Sequence, residues 1–252
     1  MVITICNFAA LPDRDVERVC AAINRQIAEH FAAHWRFESR IQLQLLGANP
    51  DPASGDAVIY LWDTIADVPR PLADEDPNDQ GLPFGFVILE ISEQLEEPWS
   101  VTLSREALAL IGDTQSAGPH PADPSRIVFH WYEMCDAVEA ETYEIDSVVS
   151  NFLLPSSFAI DAEEVRKDFL HRRHPGGALR SFGVNPGGSC GIVDPESRAH
   201  HIYSRPGDEI AAARLEIRHR VWHLPRLSRA RRSTVYRSLA TRAPTRTDGA
   251  DS

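Results

Sequence analysis

Six acidic side chains, Glu106, Glu133, Asp136, Glu139, Glu141 and Glu144, could supply the oxygen donors that calcium or magnesium require. Neighbours on a strand point to opposite faces, so they cannot all meet at one ion. Ten histidines are present, yet no H-E-x-x-H pair sets two of them one helical turn apart beside a glutamate. His219 and His223 are four apart on a predicted helix, but the arginines around them make a solvated basic face the plainer expectation. His200-His201 would face apart in a strand, and His130, beside Trp131, is expected in the core or at its rim. Cys6, Cys20, Cys135 and Cys190 show no C-x-x-C spacing and are expected to be buried free thiols. Cys135 lies between Glu133 and Asp136, whose charges would raise a thiol pKa and blunt it as a nucleophile. Asn185-Pro186-Gly187-Gly188-Ser189 lacks the lysine of a phosphate loop and reads as a turn, and there is no G-x-S-x-G elbow.

The elements that must position these groups follow from periodicity. Residues 2–6 alternate like a short strand, and Pro12-Asp13 opens a helix. Val16, Val19, Cys20, Ile23, Ile27 and Phe31 give that helix one apolar face. Ile41, Leu43 and Leu45 alternate with glutamines, as in a half-buried strand. Ala57 to Leu61 is continuously apolar, as in a central one. Asp63 to Pro83 is acidic and proline-rich, a predicted long loop. A strand is predicted over Phe84–Ile91 and a helix over Trp99–Gly112, so the order is β-α-β-β-β-α. Beyond these, a strand is predicted over Ile127–Met134 and a hairpin about Asp146-Ser147. A helix over Asp161–His171 and a turn at His174–Gly177 follow. A second hairpin about Asp194-Pro195 precedes a last helix within Pro206–Trp222.

With 252 residues and 43% hydrophobic content, the chain can bury a substantial core. Its net charge of −12 is unevenly spread. Residues 214–252 hold ten Arg against Glu216, Asp248 and Asp251, a local charge of +7, and the other 213 residues carry −19. An acidic body argues against nucleic-acid binding except through the basic tail around Arg226–Arg232. Neither a membrane span nor a signal peptide is expected, and free thiols fit a cytoplasmic protein.

Two stretches carry more specific information: Ser104-Arg105-Glu106-Ala107-Leu108-Ala109, and Glu133-Met134-Cys135-Asp136-Ala137-Val138-Glu139 followed by Tyr143-Glu144-Ile145 and Val149-Ser150-Asn151-Phe152. Together they resemble a bacterial, largely uncharacterised, zincin-like (metallopeptidase-like) family. Its helix reads Ser-His-Glu-x-Leu-Glu, closed by Asp-Pro, and its downstream segment reads Glu-x-Cys-Asp-x-Val-Glu. The resemblance covers residues 1–160 in element order and is motif-specific over 99–158. It implies an α+β fold: a zincin-like mixed sheet with a backing helix and an active-site-type helix, followed by hairpins and a C-terminal helix. It places Arg105 and Ala109 at two metal-ligand positions and Glu106 at the general-base position. Glu133, Asp136 and Glu139 fall where a third ligand or its support would lie. The Asp-Pro is reduced to Asp113-Thr114 here.

Arginine stays protonated and alanine has no donor, so the family's zinc is not expected in this chain and no cofactor is. A guanidinium at the ion's position could instead neutralise two of Glu133, Asp136 and Glu139. The plainer alternative buries Leu103, Ala107, Leu110 and Ile111 and leaves Arg105 and Glu106 in water. The expected organisation is a zincin-like domain over 1–160, a packed C-terminal extension over 161–225 and a basic tail over 226–252. The expected role is a pseudoenzyme of metallopeptidase type, a non-catalytic binding or regulatory protein with a protein partner. A metal-dependent hydrolase with a relocated acidic site is one alternative, and a component of a phage-like or defence assembly is another.

Overall fold

The computed structural model describes residues 1–36, 40–46, 55–68, 83–112, 115–131, 134–160, 166–175, 177–195 and 197–222. Strand β1 (Val2–Asn7) leads through a Pro12 start into α1 (Asp13–Arg25). Asp13 and Asp15 in the first turn and Arg25 in the last suit the helix dipole. The helix widens to a π turn over Gln26–Phe31 and continues as α2 (Ala32–Trp35), ending at left-handed Arg36. Every member of the expected apolar face, Val16 to Phe31, is buried. Each such side chain contributes roughly 1.5–3 kcal/mol by leaving water.

Strands β2 (Gln42–Leu46), β3 (Ala57–Trp62) and β4 (Phe84–Ile88) join β1 in the order β2-β1-β3-β4. All three pairings are parallel, so the expected mixed sheet is corrected to a parallel one among the described strands. Its two faces are both covered, as parallel sheets require. Ile3, Ile5, Ala57, Ile59, Leu61 and Val87 pack with α1 and with the helix α4 (Trp99–Ile111). Cys6, Val58, Tyr60, Phe84, Phe86 and Ile88 form the other core. The strand expected to reach Ile91 stops at Ile88, because the chain turns directly into α3 (Leu89–Gln94). Ile91 then buries against the second core from a helix rather than from the sheet.

A second, antiparallel sheet has the order β10-β9-β6-β5, from β5 (Gln115–His120), β6 (Asp123–Trp131), β9 (Ser189–Val193) and β10 (His200–Ser204). β9 pairs with β6, so chain on either side of residue 160 shares this sheet. β5 went unpredicted because Gly118 and Pro119 weaken any strand signal; it lies at the sheet edge, where proline is tolerated. β6 starts earlier than expected and ends at Trp131, short of Met134. Strands β7 (Thr142–Glu144) and β8 (Val148–Ser150) form the predicted hairpin, and α5 (Glu209–Trp222) is the last helix.

The helix expected over 161–171 is not found in its described part. Leu154 N–H donates to Lys167 and Phe169 N–H to Phe152, so this segment runs beside 152–154 instead. Tertiary pairing overrides helix propensity here. Among the described residues, no helix is long and apolar enough to cross a membrane.

A buried arginine network at the candidate site

Helix α4 is anchored by two serine hydroxyls. Ser100 donates to the Val148 carbonyl (2.6 Å), and Ser104 donates to the side-chain oxygen of Gln26 (2.7 Å). Gln26 in turn donates to Ser150 O (2.8 Å), and Ser150 N–H returns to the Ser104 hydroxyl (3.2 Å). Gln26 and Ser104 are fully buried, so these bonds set the helix against β8 and the π turn of the first helix in a desolvated interior. The serine of the first motif and the serine of the last are thereby held together.

Arg105 follows directly and does not meet water: its side chain is 4% exposed. The alternative of a solvated Arg105 is corrected. Its guanidinium forks onto both oxygens of Glu97, with Nη2 3.0 Å from Oε2, and Nη2 also donates to the Glu139 carbonyl at 2.6 Å. The network continues through the C-terminal helix. Arg214 lies 3.0 Å from Glu97 and 3.4 Å from Glu139, and Arg218 lies 3.0 Å from Glu139 and 3.5 Å from Asp136. Positive and negative groups alternate along this chain of contacts, three of each, so the cluster is neutral overall. Burial opposes the charge on Arg105, but the pull of Glu139 and Glu97 and the hydrogen bond to Glu97 outweigh it. They hold its pKa above the usual value.

Of the residues singled out from sequence, the structure brings Arg105, Asp136 and Glu139 into one cluster. Asp136 and Glu139 bracket a tight 3-10 turn. Glu106, on the next face of α4, lies across Gly85 of β4, where an added Cβ would sit 2.5 Å from its carboxylate. Ala109 is half-buried and carries no donor. Glu133, Asp113-Thr114, the acidic residues 69–82, His223 and the basic tail lie outside the described residues.

Sequence reasoning missed Glu97, Arg214 and Arg218. The i, i+4 spacing of the two arginines was a usable signal, since it puts both on one helix face; nothing local marks Glu97.

Burial pushes the Cys135 thiol up to about 12, with Asp136 adding a smaller part and Arg105 and Ser150 opposing. Its inertness is therefore mainly a matter of burial, not of acidic neighbours. The remaining thiols are buried as well. His130 is a core residue, 3% exposed and 4.8 Å from the Phe182 ring.

A second buried polar cluster lies in the C-terminal half. The Asn151 amide donates to Glu141 (3.0 Å) and to Asp168 (2.8 Å). Asn185 donates to Glu141 at 2.6 Å, and His174 Nε2 sits 2.8 Å from the same oxygen. The His171 N–H donates to Asp168 (2.8 Å). Asp168 Oδ1 is buried without a hydrogen-bond partner among the described residues. These bonds tie the hairpin to the loops that follow it.

The residues do not fit the zinc that the resemblance implies. One ligand position holds a paired guanidinium and the other an alanine. Among the described residues, no group of three or more His, Cys, Asp or Glu could hold a metal ion. Fold and site together define a mixed α/β protein with a parallel four-stranded sheet, antiparallel hairpins and a buried arginine–carboxylate network. No protein-family model, curated protein or solved structure matches this chain.

Proposed function

We propose that the chain is a zincin-like scaffold that has exchanged its metal for an internal ion-pair network. On this reading it acts as a non-catalytic binding or regulatory protein with a protein partner. The observation that carries the reading is the Arg105 guanidinium, buried between Glu97 and Glu139 where the resemblance asks for a zinc ligand. It gives the carboxylates the positive charge an ion would give them, and it has no lone pair to bind one. A further support is that α1 and α4 share one face of the parallel sheet, as a backing helix and an active-site-type helix would. Ile127, Phe129 and Ile202 stand exposed on one face of the antiparallel sheet and offer apolar surface of the kind protein interfaces use. Glu106 is assigned no catalytic step. Of the six carboxylates that a relocated metal site could draw on, Asp136 and Glu139 are engaged by Arg218.

Metal content tests the proposal. Protein equilibrated with zinc, calcium or magnesium and then passed into metal-free buffer is expected to retain no stoichiometric metal. Its Tm should be the same with and without EDTA. One equivalent of bound metal, with a Tm that falls on chelation, would overturn the reading in favour of a metal-dependent enzyme.

A further inference from the structure

Glu141 and Asp168 are both buried, yet their surroundings differ in charge from those of Arg105. In the arginine network, three guanidinium groups face three carboxylates. Here, among the described residues, neither acid is ion-paired with a lysine or arginine, and His174 beside Glu141 is the one titratable base in contact. The other donors are neutral: the Asn151 and Asn185 amides and the His171 N–H. Buried carboxylates ordinarily take a positive partner as well as hydrogen bonds.

Asp168 is held through one oxygen only. Its backbone is fixed by the antiparallel bridge to Leu153 and by the Phe169 N–H on the Phe152 carbonyl. Oδ2 accepts from Asn151 and from the His171 N–H. Asn151 is not free to serve the other oxygen. Its own Oδ1 accepts from the N–H groups of Phe152 and Leu170, so its amide hydrogens stay committed, one to each acid. Asp168 Oδ1, in a residue only 1% exposed, therefore has no donor among the described residues. An ionised oxygen left undonated in a desolvated interior is costly, and the cost points to a ligand that donates.

Charge and donor count select the ligand. A divalent metal needs several oxygen donors, whereas the other three carboxylate oxygens already accept hydrogen bonds or face His174. Water brings donors but leaves the acids uncompensated. A protonated amine brings both N–H donors and positive charge.

We propose that the Glu141–Asp168 cluster is a binding site for a protonated amine, whose ammonium group donates to Asp168 Oδ1 and balances the two acids. Burial limits the ligand to the ammonium ion itself or the slender end of a primary alkylamine. The ligand enters past His174, whose side chain is 23% exposed against 3% for Glu141. That imidazole sits on a tight turn closed by reciprocal backbone bonds between His174 and Gly177 (3.1 and 2.9 Å). Gly177 adopts φ +106 there, with open space around it, a conformation that suits glycine. The Arg105 network takes no part, so metal content tests the one proposal and amine binding the other.

Thermal melts of the full chain at constant ionic strength test the site. Ammonium chloride or methylamine hydrochloride should raise Tm saturably, by about 3 °C at roughly ten times Kd. Sodium chloride and tetramethylammonium chloride carry charge without N–H donors and should leave Tm unchanged. A rise with ammonium alone assigns the free ion, and a rise with methylamine assigns the end of an amine chain. Asp168→Asn removes the charge and should abolish the rise. The contrast among the salts is read on the wild type, so it stands even where the variant does not fold. A comparable rise with either control salt, no rise with ammonium or methylamine, or a rise retained in folded Asp168→Asn protein would overturn the site.

Discussion

Among the described residues, carboxylates are buried in two places and satisfied in two ways. Around Arg105, fixed charges do the work, drawn from residues 97, 105, 136, 139, 214 and 218 and so from distant parts of the chain. Around Glu141 and Asp168, the donors are mostly neutral, the Asn151 and Asn185 amides and a backbone N–H, with His174 at the rim. The first arrangement couples parts of the chain from Glu97 to Arg218, while the second stitches the stretch from Glu141 to Asn185. A buried ion pair is strongest as a constraint rather than as a source of stability, since desolvation offsets much of the attraction. Removing one member, however, leaves an uncompensated charge.

That contrast can be broken most directly at Arg105. Arg105→Ala should lower unfolding free energy by about 3–5 kcal/mol in urea melts, because Glu97 loses its paired donor inside the fold. A change within error would mean that Arg214 and Arg218 suffice on their own. Asn151→Ala should come next, at roughly 2–3 kcal/mol. It withdraws a donor from both acids and leaves the N–H groups of Phe152 and Leu170 without their acceptor. If it proved more damaging than Arg105→Ala, the neutral cluster would be the more consequential of the two.

The smallest effect concerns His30, which stacks on Phe169 next to Asp168, with Nδ1 3.0 Å from the Tyr143 hydroxyl. Burial lowers its pKa below the usual 6.5, with Arg25 and His34 adding and Glu29 opposing. The folded state thus prefers the neutral ring. Its contribution is present above the unfolded pKa and declines as pH falls through that value towards the lower, folded one. Melts between about pH 7.5 and about pH 5.5 should show the wild type losing more stability than His30→Gln. Identical slopes would remove His30 from the account.

Much of the fold could be read directly. The apolar stripe from Val16 to Phe31, the central strand at Ala57 and the hairpin about Asp146-Ser147 lie where their patterns put them, because burial periodicity is a local property. The idea of a guanidinium among carboxylates was legible too, from one arginine beside an acidic motif. Its partners were only half right: Glu139 takes part, while Glu97 and the two arginines of α5 came as findings. The helix expected over 161–171 fails in its described part, since the antiparallel contact beside Phe152 is non-local.

What the amino-acid sequence determined by itself is therefore most of the elements of residues 1–112, the buried face from Val16 to Phe31 and the lack of a metal-ligating lone pair at Arg105 and Ala109. These depend on side-chain chemistry and on spacings of two to four residues. Strand direction in the first sheet, the union of β6 with β9 and the choice of Glu97, Arg214 and Arg218 as partners were decided only by tertiary structure. Each joins groups far apart along the chain, and no local pattern encodes which distant charge will share a desolvated pocket, where attraction is strong enough to select it.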